Sequence, residues 1–491
     1  MKRQYVQLFL IGVALSIAQF VMIRDFVSIL YGEEVVIVLV TASFFLGLSV
    51  GYTLALRISQ RVFQYLFIGS VFLHLTFPFS YRYLGAQFAV WDLEGLGYLS
   101  LLFGYALIFN SMFATVLPRL ITLPEEAGQS EEARLRTFYG LELAGFIAGF
   151  GIVAASWNHT IGYLLAPYWV ILGAILYLTL QHKIVTGVYA LGAVLAVVFV
   201  APLDSHSTAL LYEYKHRIRD AKVLYSVNSP YQKVEVIDGR RGKRYLYLDG
   251  LQNLNTSDLE ALNYYIAQVP AALIRPREAL LIGNGTLSSV PKIYPYSERL
   301  TSVELDGGVL QAGMLHFTDM EELAGYDRWQ LLVDDGKHFL RTSEVLYDLI
   351  VMDVPSPLTI QEAYLHTVEF YGLAKESLSE QGVIAVQLSG PLQRNNRSPA
   401  RITAALREVY PEVMVIYSDR ADRGFAYASR DLPFTAEDVR GQAEAYDDDL
   451  KVIGPERVDR YLKRAVPLAA DNMDLVLRRG WERFTNRYFD D

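Results

Sequence analysis

The sequence predicts a multi-span α-helical membrane region of about seven spans, followed by a doubly wound α/β domain with a small β subdomain at its N-terminal side. Three observations predict this. Residues 1–201 hold only 20 of the chain's 97 charged residues, so lipid solvates the first part and water the remaining 290 residues. Seven apolar stretches in the first part approach spanning length. Beyond them, short apolar strands alternate with helical stretches, the pattern of a parallel sheet.

The seven stretches run at about 5–23, 35–56, 62–80, 98–117, 138–156, 161–180 and 184–201, within a helical membrane domain spanning 1–201. Arg24-Asp25 closes the first. That run is too long for a cleaved signal peptide, and no small-residue cleavage site follows it. Helices in lipid associate by close backbone approach, so Gly47 with Gly51 and Gly145 with Gly149 mark contact faces. Glu142 is the one carboxylate inside an apolar stretch, facing either a cavity or the interface near Arg134 and Arg136. His74, Asn110 and Gln19 suit hydrogen bonds between helices. The chain has no cysteine, which excludes disulfides, thiolate catalysis and Cys-ligated zinc. A net charge of −9 argues against nucleic acid as a partner and suits a cationic substrate. Asp447-Asp448-Asp449 reads as a solvated acidic turn, and no metal site is expected.

A polar linker is expected over 202–221, then a β-hairpin subdomain over 222–255. An α/β domain is expected over 256–445 and a helical extension over 446–491. Within the α/β domain, strand 279–282 runs into Gly283-Asn284-Gly285, where glycines let the backbone approach a ligand closely. The next strand ends in Glu304, placed to accept both hydroxyls of a ribose. Two further strands end at Asp335-Gly336 and at Asp353. Acids at three strand ends, in register with Gly283 and Gly285, predict a Rossmann-like nucleoside site at the carboxyl edge of the sheet.

The motifs Ser229-Pro-Tyr-Gln-Lys-Val, Leu248-Asp-Gly, Ile282-Gly-Asn-Gly, Val303-Glu-Leu-Asp, Asp335-Gly, Tyr347-Asp-Leu-Ile-Val-Met-Asp and Thr367-Val-Glu-Phe-Tyr make this half similar to the spermidine synthases, the polyamine aminopropyltransferases. Together with Phe45-Leu-Gly-Leu-Ser-Val-Gly51, they make the whole chain resemble the membrane-fused members of that family. The resemblance implies a class I methyltransferase-like fold and a homodimer. It also implies an amine substrate such as a polyamine, with decarboxylated S-adenosylmethionine as co-substrate and no prosthetic group. Gln232 would contact the nucleoside, Glu304 the ribose and Asp335 the adenine amino group, with Gly283, Gly285 and Gly336 shaping the cradle. Asp353 would be the catalytic carboxylate beside the sulfonium, and Asp249 would line the cleft. Adenosyl donors are cytosolic, so a multi-pass protein of the cell membrane with a cytoplasmic catalytic domain is expected. The Lys and Arg count outside the spans instead mildly favours a cytoplasmic N-terminus.

On the amine side the pattern departs from the family. Thr286 stands where an acid binds the aminopropyl ammonium, and Ser356 where a second acid follows the catalytic one. Asn253 takes a glutamine's place, and Leu262-Asn263-Tyr264 replaces Tyr-His-Glu. Two alternatives therefore stand beside aminopropyl transfer. One is a methyltransferase using S-adenosylmethionine on a membrane-delivered substrate, and the other a non-catalytic sensor of adenosyl metabolites or polyamines.

Overall fold

Apolar helices fill the first part of the chain because their long hydrophobic runs have few charges to interrupt them. In this computed structural model all residues are described except 1, 31–32, 94–95, 123–129, 356, 358, 394–396, 445, 447–449 and 489–491. Two compact units result, Met1–Gly242 with Tyr247–Leu251 and Trp481–Asp491, and Lys243–Leu246 with Gln252–Gly480.

The first unit contains α1 (Lys2–Leu30), α2 (Glu33–Leu54), α3 (Gln60–Leu75), α4 (Phe79–Val90), α5 (Leu96–Ala114), α6 (Val116–Ile121), α7 (Glu131–Ala155), α8 (Gly162–Leu180), α9 (Lys183–Val198) and α10 (Val200–Lys215). Among the described residues, five helical stretches are long and apolar enough to cross a membrane. The pairs α3–α4 and α9–α10 meet the same test jointly, bent by 75° and 66°, which gives up to seven. Most of the stretch expected as a linker lies in α10.

Small residues set the helix contacts. A methyl group at Gly145 would strike the carbonyl oxygen of Phe9, and one at Gly149 would strike the hydroxyl of Ser16, so α7 packs flush on α1. Gly12 answers from α1 against the backbone of Glu142, and Gly51 meets the Ser111 carbonyl of α5. His74 bonds Tyr168 OH at 2.5 Å and Phe109 O at 2.8 Å, on two other helices. Asn110 departs from expectation, since it donates to Ala106 O of its own helix at 2.9 Å. Glu142 is buried, with Oε2 lacking a hydrogen-bond partner among the described residues.

The charges expected to end the first span do not end it; α1 continues to Leu30 because they are paired. Asp25 accepts from Arg82 Nε at 2.9 Å and Nη2 at 3.0 Å, and from Tyr81 OH. Arg82 also pairs with Asp204 of α10. Strands β1 (Lys222–Asn228) and β2 (Lys233–Asp238) pair antiparallel, and β2 joins this cluster. Lys233 Nζ lies 2.9 Å from both Asp25 and Glu235. Glu235 accepts from Tyr212 OH at 2.7 Å and Ser28 Oγ at 3.4 Å. Burial alone would lower the Lys233 pKa, but the Asp25 and Glu235 carboxylates outweigh it and hold the ammonium above its ordinary value. The next two strands, β3 (Arg244–Leu248) and β4 (Leu251–Asn255), are divided between the units.

The second unit is built on β5 (Glu278–Gly283), β6 (Arg299–Glu304), β7 (Trp329–Val333), β8 (Tyr347–Asp353), β9 (Leu378–Gln387), β10 (Glu412–Ser418), β11 (Arg423–Ser429) and β12 (Lys451–Ile453). Their order across the sheet is β12-β10-β11-β9-β8-β5-β6-β7. Strands β7, β6, β5, β8 and β9 run parallel, and β10 to β12 add antiparallel pairs. β5 and β8 are buried on both faces, which explains their unbroken apolar runs. The chain leaves β5 for β6 and β7, then returns to the other side of β5 as β8. That reversal creates a crevice at the carboxyl ends of β5 and β8.

Replacing Lys233 by methionine leaves Asp25 and Glu235 facing each other without the cation between them. Loss of one partner from a buried ion pair typically costs roughly 3–5 kcal/mol. Thermal unfolding of the intact detergent-solubilised variant is expected to show a marked fall in midpoint; an unchanged midpoint contradicts this account.

Candidate nucleoside and amine site

Gly283 ends β5 opposite Asp353, the last residue of β8. Its φ is +81°, and a Cβ there would strike the Asp353 carbonyl oxygen, so both conformation and space require glycine. Asn284 follows at φ +59° and donates its backbone N–H to Asp353 O at 3.0 Å. Its side-chain Nδ2 donates to the Asp353 carboxylate at 2.5 Å, while Oδ1 accepts from Ser289 N at 3.0 Å. Ser289 Oγ donates to Asn263 Oδ1 at 2.9 Å. Gly285 comes next, where a Cβ would lie 2.5 Å from Val309 Cγ1 and 3.2 Å from Glu304 Oε2. The glycine-bracketed turn thus joins Glu304 and Asp353 in one crevice.

The two carboxylates share an electrostatic condition. Glu304 is 9% exposed, and burial raises its pKa to about 7. Backbone N–H groups of Asp306 and Leu305 oppose the rise, and the Asp306 and Asp353 charges add to it. Asp306 N donates to Glu304 Oε1 at 3.0 Å, leaving Oε2 on the Gly285 side. Burial also raises Asp353, against the Asn284 hydrogen bond and the Arg423 charge. Arg423 begins β11 and donates to Asn253 O at 3.2 Å, so Asn253 touches the cation that faces Asp353.

The remaining predicted residues divide. Asp335 follows β7 and caps helix Gly336–Thr342, accepting from Lys337 N at 2.8 Å. A Cβ at Gly336 would approach Ile282 Cγ2 at 2.8 Å. Thr286 is buried beside the turn with its hydroxyl 2.7 Å from Ser288 Oγ. Ser356 and the Asp447–Asp449 run lie outside the described residues. Gln232 and Asp249 belong to the first unit. There Asp249 accepts from Lys233 N at 2.8 Å and lies 3.8 Å from Arg24. Burial lifts its pKa to about 6 against the Arg24 charge. Arg24 also donates to Tyr231 O at 2.8 Å and Pro230 O at 3.2 Å, beside Gln232. Sequence reasoning did not find roles for Asn284, Ser289 or Arg423. Only the Asn284 signal was within reach, as a non-glycine residue between two glycines.

Comparison with known proteins gives the same region. Residues 260–419 match the family described as Spermine/spermidine synthase domain. The polyamine aminopropyltransferase of Streptococcus pneumoniae is 31% identical over 194 residues, which cover 38% of this chain and 67% of that protein. Polyamine aminopropyltransferase 2 of Pseudomonas aeruginosa is 28% identical over 306 residues, 59% of this chain and 83% of the relative. The Clostridium botulinum polyamine aminopropyltransferase is 30% identical over 183 residues, which span 36% of this chain and 64% of the relative's length.

Glu304 gives two opposite pH effects. Its raised pKa contributes stability below about 4.5, and that contribution is lost as pH climbs through about 7. If Glu304 accepts the ribose hydroxyls, as the resemblance implies, binding needs its ionised form, and affinity for 5′-methylthioadenosine is expected to rise with pH up to about 7, by up to about tenfold per pH unit. In Glu304→Gln the affinity is expected to be lower and independent of pH from 5.5 to 8. Calorimetric titration checks both, and a retained pH slope in the variant would remove Glu304 from the ribose contact.

Proposed function

Because the chain belongs to the spermidine synthase family, we propose that it is a membrane-anchored aminopropyltransferase that moves an aminopropyl group from decarboxylated S-adenosylmethionine to an amine. The observation that carries this reading is the Asp353 carboxylate, held by Asn284 at 2.5 Å in the crevice shared with Glu304. An ammonium has no lone pair, so the acceptor must lose a proton before it attacks. Asp353 would attract the cation and take that proton, and its burial-raised pKa makes it a better base than an exposed carboxylate. The freed nitrogen then attacks the aminopropyl carbon in line with sulfur. The N–C bond forms, the C–S bond breaks, and its electron pair stays on sulfur, which leaves as neutral methylthioadenosine. Glu304 would hold the ribose and so fix the sulfonium relative to Asp353. The donor is a co-substrate, and the chemistry needs no prosthetic group.

Thr286 favours a second reading. In the glycine turn it presents a hydroxyl engaged by Ser288 and no carboxylate, so that position lacks a charge that would repel a donor carboxylate. S-adenosylmethionine itself would then fit, and the reaction would be methyl transfer. Preferential ligand binding to the native state raises its stability. Stronger thermal stabilisation by the decarboxylated donor than by S-adenosylmethionine is expected, and the reverse order selects the second reading.

Asp353→Asn is expected to cut turnover by roughly 10²- to 10⁴-fold, the usual contribution of a general base. Methylthioadenosine affinity should stay within a few fold. Turnover retained in the variant would exclude Asp353 from proton transfer. Apolar side chains such as Ile147, Val170, Ile184 and Leu191, all more than 60% exposed, support lipid as the solvent of the helical unit. The second unit would face the cytoplasm, where adenosyl donors are made. A reporter fused after Asp491 should be active only in its cytoplasmic form, and the opposite result rejects this orientation.

A further inference from the structure

A second concavity of about 580 Å³ lies within the second unit, lined by residues 397–478 rather than by those of the glycine turn. Its wall carries Arg397, Arg401, Arg460, Lys463, Arg464 and Arg478, against Asp474 as the one acid. This is a concentrated positive field on a chain whose net charge is −9. Arg407, on the same helix as Arg401, lies 3.0 Å from Asp459 of helix Pro455–Leu462. By contrast, Arg460, Lys463 and Arg464 lack an acid within 4.0 Å among the described residues, and their side chains are exposed.

The floor of the concavity is fixed. Arg401, 9% exposed, donates to Val466 O at 2.9 Å, to Asn472 O at 3.2 Å and to Asp474 at 2.6 Å. Its guanidinium thereby ties the segment after helix Pro455–Leu462 to helix Arg397–Val409, and Asp474 is consumed in that tie. The cations left on the rim are held near one another by a rigid frame, and like charges so placed repel unless an anion enters between them. Guanidinium forks match phosphate oxygens two at a time, and a lysine adds a point charge.

We propose that this concavity binds a phosphate-bearing anion, supplied either by an acidic lipid headgroup or by a free phosphate compound. The aminopropyl chemistry plays no part in the proposal. Calorimetric titration of the intact protein in uncharged detergent with inorganic phosphate and with short-chain dihexanoylphosphatidylglycerol tests it. Saturable binding of at least one probe is expected, weakened at least tenfold in Arg460→Ala/Arg464→Ala with the unfolding midpoint unchanged. Should the double variant not fold, Lys463→Gln alone is expected to weaken binding severalfold. Saturation by the lipid but not by phosphate assigns the headgroup as the source, and saturation by both assigns the phosphate group itself. Absence of saturable binding of either probe, or equal binding by the folded variants, overturns the proposal.

Discussion

Strands β5 and β8 run so close at their carboxyl ends that residue 283 has no room for a side chain, and the acids of the site owe their arrangement to that approach. It brings the Asn284 backbone within reach of the Asp353 carbonyl and drops the Asn284 amide onto the Asp353 carboxylate. One residue further on, Gly285 lets Glu304 approach from β6, and Gly313 gives the neighbouring helix the same freedom against the Gly285 carbonyl. Glu304 and Asp353 are thus buried together, and burial raises the energy of each ionised form. Arg423 is the cation that offsets Asp353. A pocket of this kind has a standing affinity for positive charge, which suits a sulfonium and an ammonium entering together.

The strand-end acids were legible because they come from periodicity: a buried parallel strand is a short apolar run, and the residue just past it lies at the edge of the sheet. The partners of those acids were not. The Arg423 charge acts on Asp353 from β11, seventy positions later, across a strand order that alternation does not encode. Asn263 joins the site through Ser289. Asp335 was legible as a strand end, yet its carboxylate also serves as a helix cap, and residue type alone does not separate those roles. In the helical part, Gly145 and Gly149 carried their meaning in their spacing. Arg24-Asp25 did not, since charges that end a span and charges paired inside a protein look alike until their partners are known.

The amine side shows what substitution does to such a frame. Where the resemblance led us to expect an acid, Thr286 contributes a hydroxyl already bonded to Ser288, and Asn284 contributes an amide that restrains Asp353. That restraint costs Asp353 some basicity and gives it a fixed direction.

The cluster around Asp25 bears on how this architecture can be taken apart. Lys233 and Glu235 sit in a strand of the motif-bearing region, yet Asp25, Ser28 and Tyr212 that satisfy them are all helical residues of the same compact unit. The hydrophobic helices are therefore no detachable anchor. A fragment starting at residue 222 would keep the Lys233–Glu235 pair but lose Asp25, Ser28 and Tyr212, which complete it.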